Sequence, residues 1–480
     1  MLFNSWQYLV FLPAVFAVYW ILPKKWKLVR TILLLAASYY FYMSWNVKYV
    51  VLILFTTLVS YGAGILLERT EKKGLKKLVV ASAAVLCFAV LFFFKYFGFA
   101  FDTLNRIVSL FGLPMNPITL NLMLPVGISF YTFQTVSYVI DVYRKDTAAE
   151  KNILYYATFV SFFPQLVAGP IERTRNLLPQ LRIEHKFQPD KAMAGFKLLL
   201  IGYFKKLVIA DTVAGYVDTV YGALPEYQGV NLLLVIFLFA IQIYCDFSGY
   251  SDIAIGTAKL LDIDLMKNFK SPYYSASVRE FWSRWHISLS TWFRDYLYIP
   301  MGGSRCGRIR HAFNTLVTFL VSGLWHGANW TFVLWGALHG VMQIIENLLK
   351  KVLDPFRKNR AGHVVSVIFV FLFTCFAWVF FRAQSFTDAI YVIKTAFSGL
   401  SDPGAYFTGL SVISPVKLLF LGLYTAILAV YDFLQYRESR IIVSQEKYKV
   451  LRWAFFLAIG LLIVFASPKG TPAEFVYFQF

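Results

Sequence analysis

Long apolar blocks run the length of this chain, separated by short stretches in which Lys, Arg, Pro and Gly collect. A helix needs about 20 mostly apolar residues to span a bilayer. On that measure the pattern predicts membrane helices near residues 6–22, 31–43, 48–67, 78–97, 121–142, 196–222 and 231–256, then 312–325, 328–349, 364–381, 415–433 and 453–467. The 31–43 and 312–325 runs are short, as tilted partners or partial spans would be. The pattern therefore predicts an all-α polytopic integral membrane protein, with about 11–12 transmembrane helices plus re-entrant and interfacial ones. One membrane domain over 1–480 is expected, with its catalytic core in 120–349.

Two blocks carry their own interruptions. The run 121–142 contains Pro125 and Gly127 near its start and Gln134 and Asp141 further on. The stretch SFFPQLVAGPIERTRNLLPQL is broken at Pro164, Gly169 and Pro170 and then carries Glu172, Arg173 and Arg175. Irregular backbone at membrane depth is tolerated where protein encloses it or it lines a polar cavity. The second stretch is expected to be re-entrant at the cytoplasmic mouth; the plainer alternative is a proline-capped loop.

Composition sharpens this picture. Of 480 residues 58% are hydrophobic and only 15% charged, against about a quarter charged in an ordinary soluble protein. The net charge of +20 would suggest nucleic acid, but its placement argues otherwise. Most of the 46 Lys and Arg fall in seven stretches: 23–30, 68–77, 143–152, 170–197, 259–310, 350–363 and 434–452. All seven lie on one side of the membrane if residues 153–169 dip in and return. By the positive-inside rule that side is the cytoplasm, both termini face outward, and no nucleic-acid partner is expected. The first apolar run has no basic lead-in and no small-residue cleavage site, so it reads as a retained helix. Cys87, Cys245, Cys306 and Cys375 are scattered singly, with no CxxC pair, and no metal site or tightly bound cofactor is expected.

Candidate chemistry centres on Asn314–Gly340, NTLVTFLVSGLWHGANWTFVLWGALHG, which carries His326 and His339 at membrane depth. Ionisable groups are costly there and tend to mark function, although a histidine can also serve as hydrogen-bonding glue between helices. Asn329 lies one helical turn beyond His326, where its amide would fix the imidazole tautomer that a catalytic base needs. On one straight helix His339 would point about 140° away from His326 and lie about 20 Å along the axis. The two would share no ligand unless the chain folds back, and His339 reads as a supporting or packing residue.

IQIYCDFSGYSDIAIG adds Gln242, Asp246 and Asp252, expected to line a polar interior, to orient a histidine, to pair with an arginine or to carry a coupled ion. No G-x-S-x-G elbow occurs in the chain. The stretch NFKSPYYSASVREFWSRWHISLSTWFRDYLYIPMGGSR interleaves Trp282, Trp285, Trp292, Phe293 and Tyr296 with arginines. It reads in part as an interfacial helix with an aromatic belt. Its functional reading takes His286 as a second catalytic group and Arg279, Arg284 and Arg294, with Lys267 and Lys270, as contacts for an anionic phosphate-bearing donor. Between Arg382 and Val416 an amphipathic patch, SFTDAIYVIKTAF, suits the membrane surface or a partner, and the aromatic C-terminal tail suits burial at the outer mouth or against a partner.

Taken together these motifs resemble the membrane-bound O-acyltransferase family, and within it the membrane subunits of bacterial alginate O-acetylation and their peptidoglycan-acetylating relatives. The resemblance spans LPVGISFYTFQTVSYVIDVYR, LVAGPIERTRNLLPQL, QIYCDFSGYSDIAIG, the His286 stretch, LWHGANWTFVLWGALHG and the closing YFQF. It implies a ring of tilted helices around a thin central layer, with a funnel from each side meeting near the catalytic histidine, which falls on His326; a second family histidine falls on His286.

It also implies acetyl-CoA as a cytoplasmic co-substrate, a bacterial cytoplasmic membrane location, and transfer to an outward-facing hydroxyl. The acceptor would be a separate extracytoplasmic SGNH-type acetyltransferase, with a polysaccharide as final acceptor. In that reading His326 is the base, a transient acyl-histidine stays open, and His286 with Asn329 stabilises the oxyanion or aligns donor and base. Two alternatives remain at this point: a transporter using Asp246, Asp252 and His326 as a proton relay, and a D-alanyl transferase of the teichoic-acid type.

Overall fold

The structure, a computed structural model, describes residues 1–113, 116, 123–437, 448–468 and 475–476. The closing YFQF at 477–480, the first two residues of the 121–142 run and part of the basic 434–452 stretch lie outside the described residues. Among the described residues every regular element is helical. Six helices are long and apolar enough to cross a membrane: Val47–Arg69, Lys73–Ser109, Val230–Leu260, Arg360–Arg382, Pro415–Tyr436 and Lys449–Ala466. A seventh candidate is the pair Trp330–Leu348 and Lys350–Lys358, bent by 84°. The chain is thus an all-α polytopic membrane protein.

The remaining expected runs are helical too, with shifted ends. The block expected at 196–222 begins at Pro189 and contains a π-helical turn, Phe204–Ala210. The 121–142 run becomes helical only at Ile128. Gly127 sits at φ 77°, in the left-handed region, and a Cβ there would lie 2.5 Å from the Leu166 carbonyl oxygen. Both facts demand glycine at this break.

Residues 153–169 form two short helices, Ile153–Ser161 and Phe163–Leu166, buried at their junction. A helix broken inside a protein frees carbonyls that must find donors. Here the Phe159 carbonyl accepts from Gln134 Nε2 at 2.8 Å and from Gln165 Nε2 at 3.0 Å. The buried break with its own polar partners matches the interrupted segment read from the prolines, not an exposed loop.

The chain divides into two compact units: residues 1–199 with 253–266, and residues 200–252 with 267–480. In the first, Glu172 accepts from Asn176 Nδ2 at 2.6 Å and from the Met266 backbone N–H. That contact ties the loop before Thr174–Arg182 to the 261–266 turn. The second unit holds an aromatic core in which Trp285, Trp335 and Trp378 are completely buried. One expectation changes here. Trp282, Trp285, Trp292 and Phe293 are all buried, so these rings of the His286 stretch pack inward and form no exposed interfacial belt. The patch expected at 385–397 is a capped helix, Phe386–Thr395, whose Ala389 and Val392 face the same core.

Candidate active site

The helix Arg308–His326 ends at its histidine, and the next, Trp330–Leu348, starts four residues later and runs back alongside it. Glycines permit the close approach: a Cβ on Gly323 would stand 2.2 Å from the Phe332 carbonyl oxygen, and one on Gly336 2.2 Å from that of Phe319. Close backbone contact through small residues is a common way for helices to pair in a membrane. The two runs expected at 312–325 and 328–349 are thus separate helices, and the chain folds back between the two histidines. His326 and His339 now both pack against one ring, Trp335, at centroid distances of 4.9 and 5.0 Å.

His326 is 3% exposed, and its Nδ1 lies 2.7 Å from the Ser322 carbonyl oxygen. A carbonyl only accepts, so the ring proton sits on Nδ1 and the Nε2 lone pair is the basic one. The tautomer is therefore set by the helix's own backbone and not by Asn329. Asn329 caps the following helix, accepting from Thr331 N–H at 3.1 Å and donating to the Gln384 carbonyl at 2.8 Å. The reason is local: the helix stops at His326, so the one-turn geometry that would have joined the two residues does not exist.

His286 is completely buried and its ring lies 6.4 Å from that of His326 and 4.6 Å from Phe247. Its backbone is left-handed, at φ 44° and ψ 54°, a conformation that is uncommon and strained for a non-glycine residue. Asn268 holds that turn from three directions. Its carbonyl accepts from Ile287 N–H at 2.9 Å, its Oδ1 from the Ser288 hydroxyl at 2.6 Å, and its Nδ2 donates to Ser251 Oγ at 3.2 Å. Nothing in the sequence pattern singled out Asn268, because its partners come from two separate stretches, 287–288 and Ser251.

The matches to known proteins decide what this geometry belongs to. The sequence model of the membrane-bound O-acyltransferase family, MBOAT, covers residues 5–387. The chain belongs to that family. It is 38% identical over its full length to the probable alginate O-acetylase AlgI of Pseudomonas putida, itself covered completely. It is 31% identical to the peptidoglycan O-acetyltransferase of Helicobacter pylori, covering 100% of this chain and 98% of that one. The teichoic acid D-alanyltransferase of Bacillus subtilis matches at 27% over 55% of this chain and 70% of its own. The protein is accordingly a membrane-embedded acyltransferase.

In this acyltransferase a cavity of about 410 Å³ opens beside the two histidines. Ser322, whose carbonyl orients His326, lines it, as do Trp282 and Phe319, both of which pack on His339. Arg279 and Arg294 stand on its walls together with Tyr298, His311, Gln343 and Asn347. Arg279 is braced by Asn347 Oδ1 at 3.0 Å. Glu346 accepts from the Val278 N–H at 3.0 Å and from Arg357, capping the helix that carries Arg279. The other donor-binding candidates behave differently. Arg284 is engaged with Glu280 at 2.9 Å and stacks over Tyr436, and neither it nor Lys267 nor Lys270 lines the cavity.

Asp246 and Asp252 neither orient a histidine nor pair with an arginine among the described residues. Lys206 Nζ meets Asp246 at 2.7 Å and Asp211 at 2.8 Å, while Lys205 Nζ meets Asp252 at 2.8 Å. The π-turn Phe204–Ala210 places the two consecutive lysines; such turns are rare and often functional. Asp246 also accepts from Val476 N–H at 2.6 Å, and Phe475 packs on Phe247 and Tyr250, so these two residues of the C-terminal tail are buried within the chain. Gln242 is buried, and its Oε1 has no hydrogen-bond partner among the described residues.

Among the described residues His339 makes one hydrogen bond, accepting at Nδ1 from Trp282 Nε1 at 3.2 Å. Its Nε2, and the indole Nε1 of Trp285, Trp335 and Trp378, are buried with no hydrogen-bond partner among the described residues. Leaving a buried donor unsatisfied costs about 1–3 kcal/mol. Four in one connected aromatic cluster is a large concentration of such groups.

Proposed function

We propose that this protein takes an acetyl group from acetyl-CoA on the cytoplasmic face of a bacterial inner membrane and passes it to an outward-facing hydroxyl. The acceptor is an extracytoplasmic SGNH-type partner, and through it a cell-surface or exported polysaccharide. The observation that carries the reading is the tautomer of His326. With Nδ1–H committed to the Ser322 carbonyl, a neutral imidazole presents Nε2 as its basic nitrogen.

In the reaction Nε2 takes the hydroxyl proton as the oxygen attacks the thioester carbonyl. The C–S bond then breaks, and the departing thiolate recovers the proton from the imidazolium. Arg279 and Arg294 on the cavity walls suit the phosphates of the donor. Relatives named for alginate and peptidoglycan O-acetylation support the acetyl payload and the polysaccharide acceptor. The D-alanyl alternative rests on lower identity over about half of the chain. Against the transport alternative stands the pairing of its two carboxylates with Lys205 and Lys206.

The test is acetyl transfer from radiolabelled acetyl-CoA by the purified protein in nanodiscs, following thioester loss and label on protein or added acceptor. Wild type is expected to consume the donor and His326→Ala to lose that activity while keeping its helical content. Retained transfer by well-folded His326→Ala would remove His326 from the mechanism. Failure of wild type to touch acetyl-CoA, with a candidate partner present, would overturn the donor assignment.

A further inference from the structure

His326 and His339 are held in opposite tautomers. The Ser322 carbonyl requires a proton on Nδ1 of His326, leaving Nε2 as an acceptor. The Trp282 indole can only donate, so Nδ1 of His339 must carry a lone pair and the ring proton sits on Nε2. One histidine thus offers a base and the other a neutral N–H. Trp335 packs edge to face against both, at 70° and 72°. Its own N–H and that of His339 are buried without an acceptor among the described residues. Ser322 and Trp282, which hydrogen-bond His326 and His339, line the cavity.

We propose that Trp335 Nε1–H and His339 Nε2–H form the oxyanion site of the acyl transfer, receiving the acyl carbonyl oxygen while His326 takes the acceptor's proton. The proposal rests on the family's acyl-transfer chemistry and on no particular donor. As the hydroxyl oxygen adds to the carbonyl carbon, the C=O π electrons move onto oxygen. Fixed, desolvated N–H donors stabilise that charge without reorganising. A neutral imidazole used as an electrophile has a precedent in isomerase chemistry. Trp282 is the positioning residue, because it dictates which nitrogen of His339 holds the proton.

Two readouts test this in the full-length protein in nanodiscs. The first is ¹⁵N-histidine NMR without substrate, with signals assigned through His326→Gln and His339→Gln. His339 is expected as the Nε2–H tautomer and His326 as Nδ1–H, and Trp282→Phe should release His339 to a mixture. A His339 proton on Nδ1 in wild type would overturn the proposal whatever the donor proves to be.

The second readout is kinetic, with acetyl-CoA as the probe. Trp335→Phe and His339→Leu are expected to lower kcat by about 10²-fold or more, the range for losing one oxyanion donor, with KM for the donor little changed. His339→Gln, which keeps a donor, should recover part of the rate. Phe281→Leu controls for packing, since that ring stacks on His339 at 6.1 Å without a polar atom. An equal loss of kcat in Phe281→Leu, or unchanged kcat in Trp335→Phe and His339→Leu, would overturn the assignment. If wild type does not use acetyl-CoA, the donor reading fails, and the tautomer measurement still decides this one.

Discussion

At the residue scale the site depends on backbone carbonyls and one asparagine as much as on the histidines. Asn268 secures the left-handed turn at His286 through Ile287, Ser288 and Ser251. Asn268→Ala would remove the acceptor of the buried Ser288 hydroxyl and relax the turn, destabilising the protein by about 1–3 kcal/mol. A lower unfolding midpoint, together with a fall in transfer rate at temperatures where the variant is still folded, is the expected result. Asn329 acts differently from the role its spacing suggested, because its side chain caps Trp330–Leu348. Asn329→Ser preserves a good cap and should keep most of the transfer activity, whereas a residue that set the His326 tautomer could not be replaced so cheaply. Comparing the two substitutions in one assay checks both statements.

At the element scale the hairpin of Arg308–His326 and Trp330–Leu348 decides the chemistry, since it alone brings His326 and His339 to one tryptophan. Gly323 and Gly336 are the contact points. A Cβ at Gly323 meets a rigid carbonyl and not the end of a mobile side chain, so Gly323→Ala must push the helices apart. Overpacking of this kind destabilises by about 1–3 kcal/mol, and the shift of Trp335 should lower kcat further; a variant with wild-type melting and rate would refute the contact. The break at Phe162 is supported locally, with Gln134 supplying a partner for the Phe159 carbonyl freed beside it.

At the scale of the whole molecule, ion pairs divide into those buried among membrane helices and those at the edge of a unit. In the first unit Asp264 is reached by Lys191 at 2.8 Å and Lys259 at 2.7 Å. Partial burial pushes its carboxyl up, but the hydrogen bonds from these two lysines outweigh that and hold it below its ordinary value. A carboxylate with a lowered folded-state pKa contributes stability above its unfolded value near 3.9, and loses it as the pH falls further. Asp264→Asn should therefore melt below wild type at pH 7, with the gap closing as both are brought below about pH 4. A gap independent of pH would mean the lysines do not stabilise the charged form.

Much of this protein was legible before any fold was known. Apolar length and basic clusters determine where the helices lie, because bilayer thickness and charge asymmetry act on local sequence. The breaks at Gly127 and Pro164 were visible for the same reason, and His326 and His286 stood out as polar groups in apolar or aromatic surroundings. What the sequence could not determine is which groups meet. Trp282 with His339, Asn268 with the His286 turn, and Lys205 and Lys206 with Asp252 and Asp246 are pairings made by packing. The His339 tautomer depends on where the Trp282 N–H lies to within a few tenths of an ångström, and only the tertiary structure sets that distance.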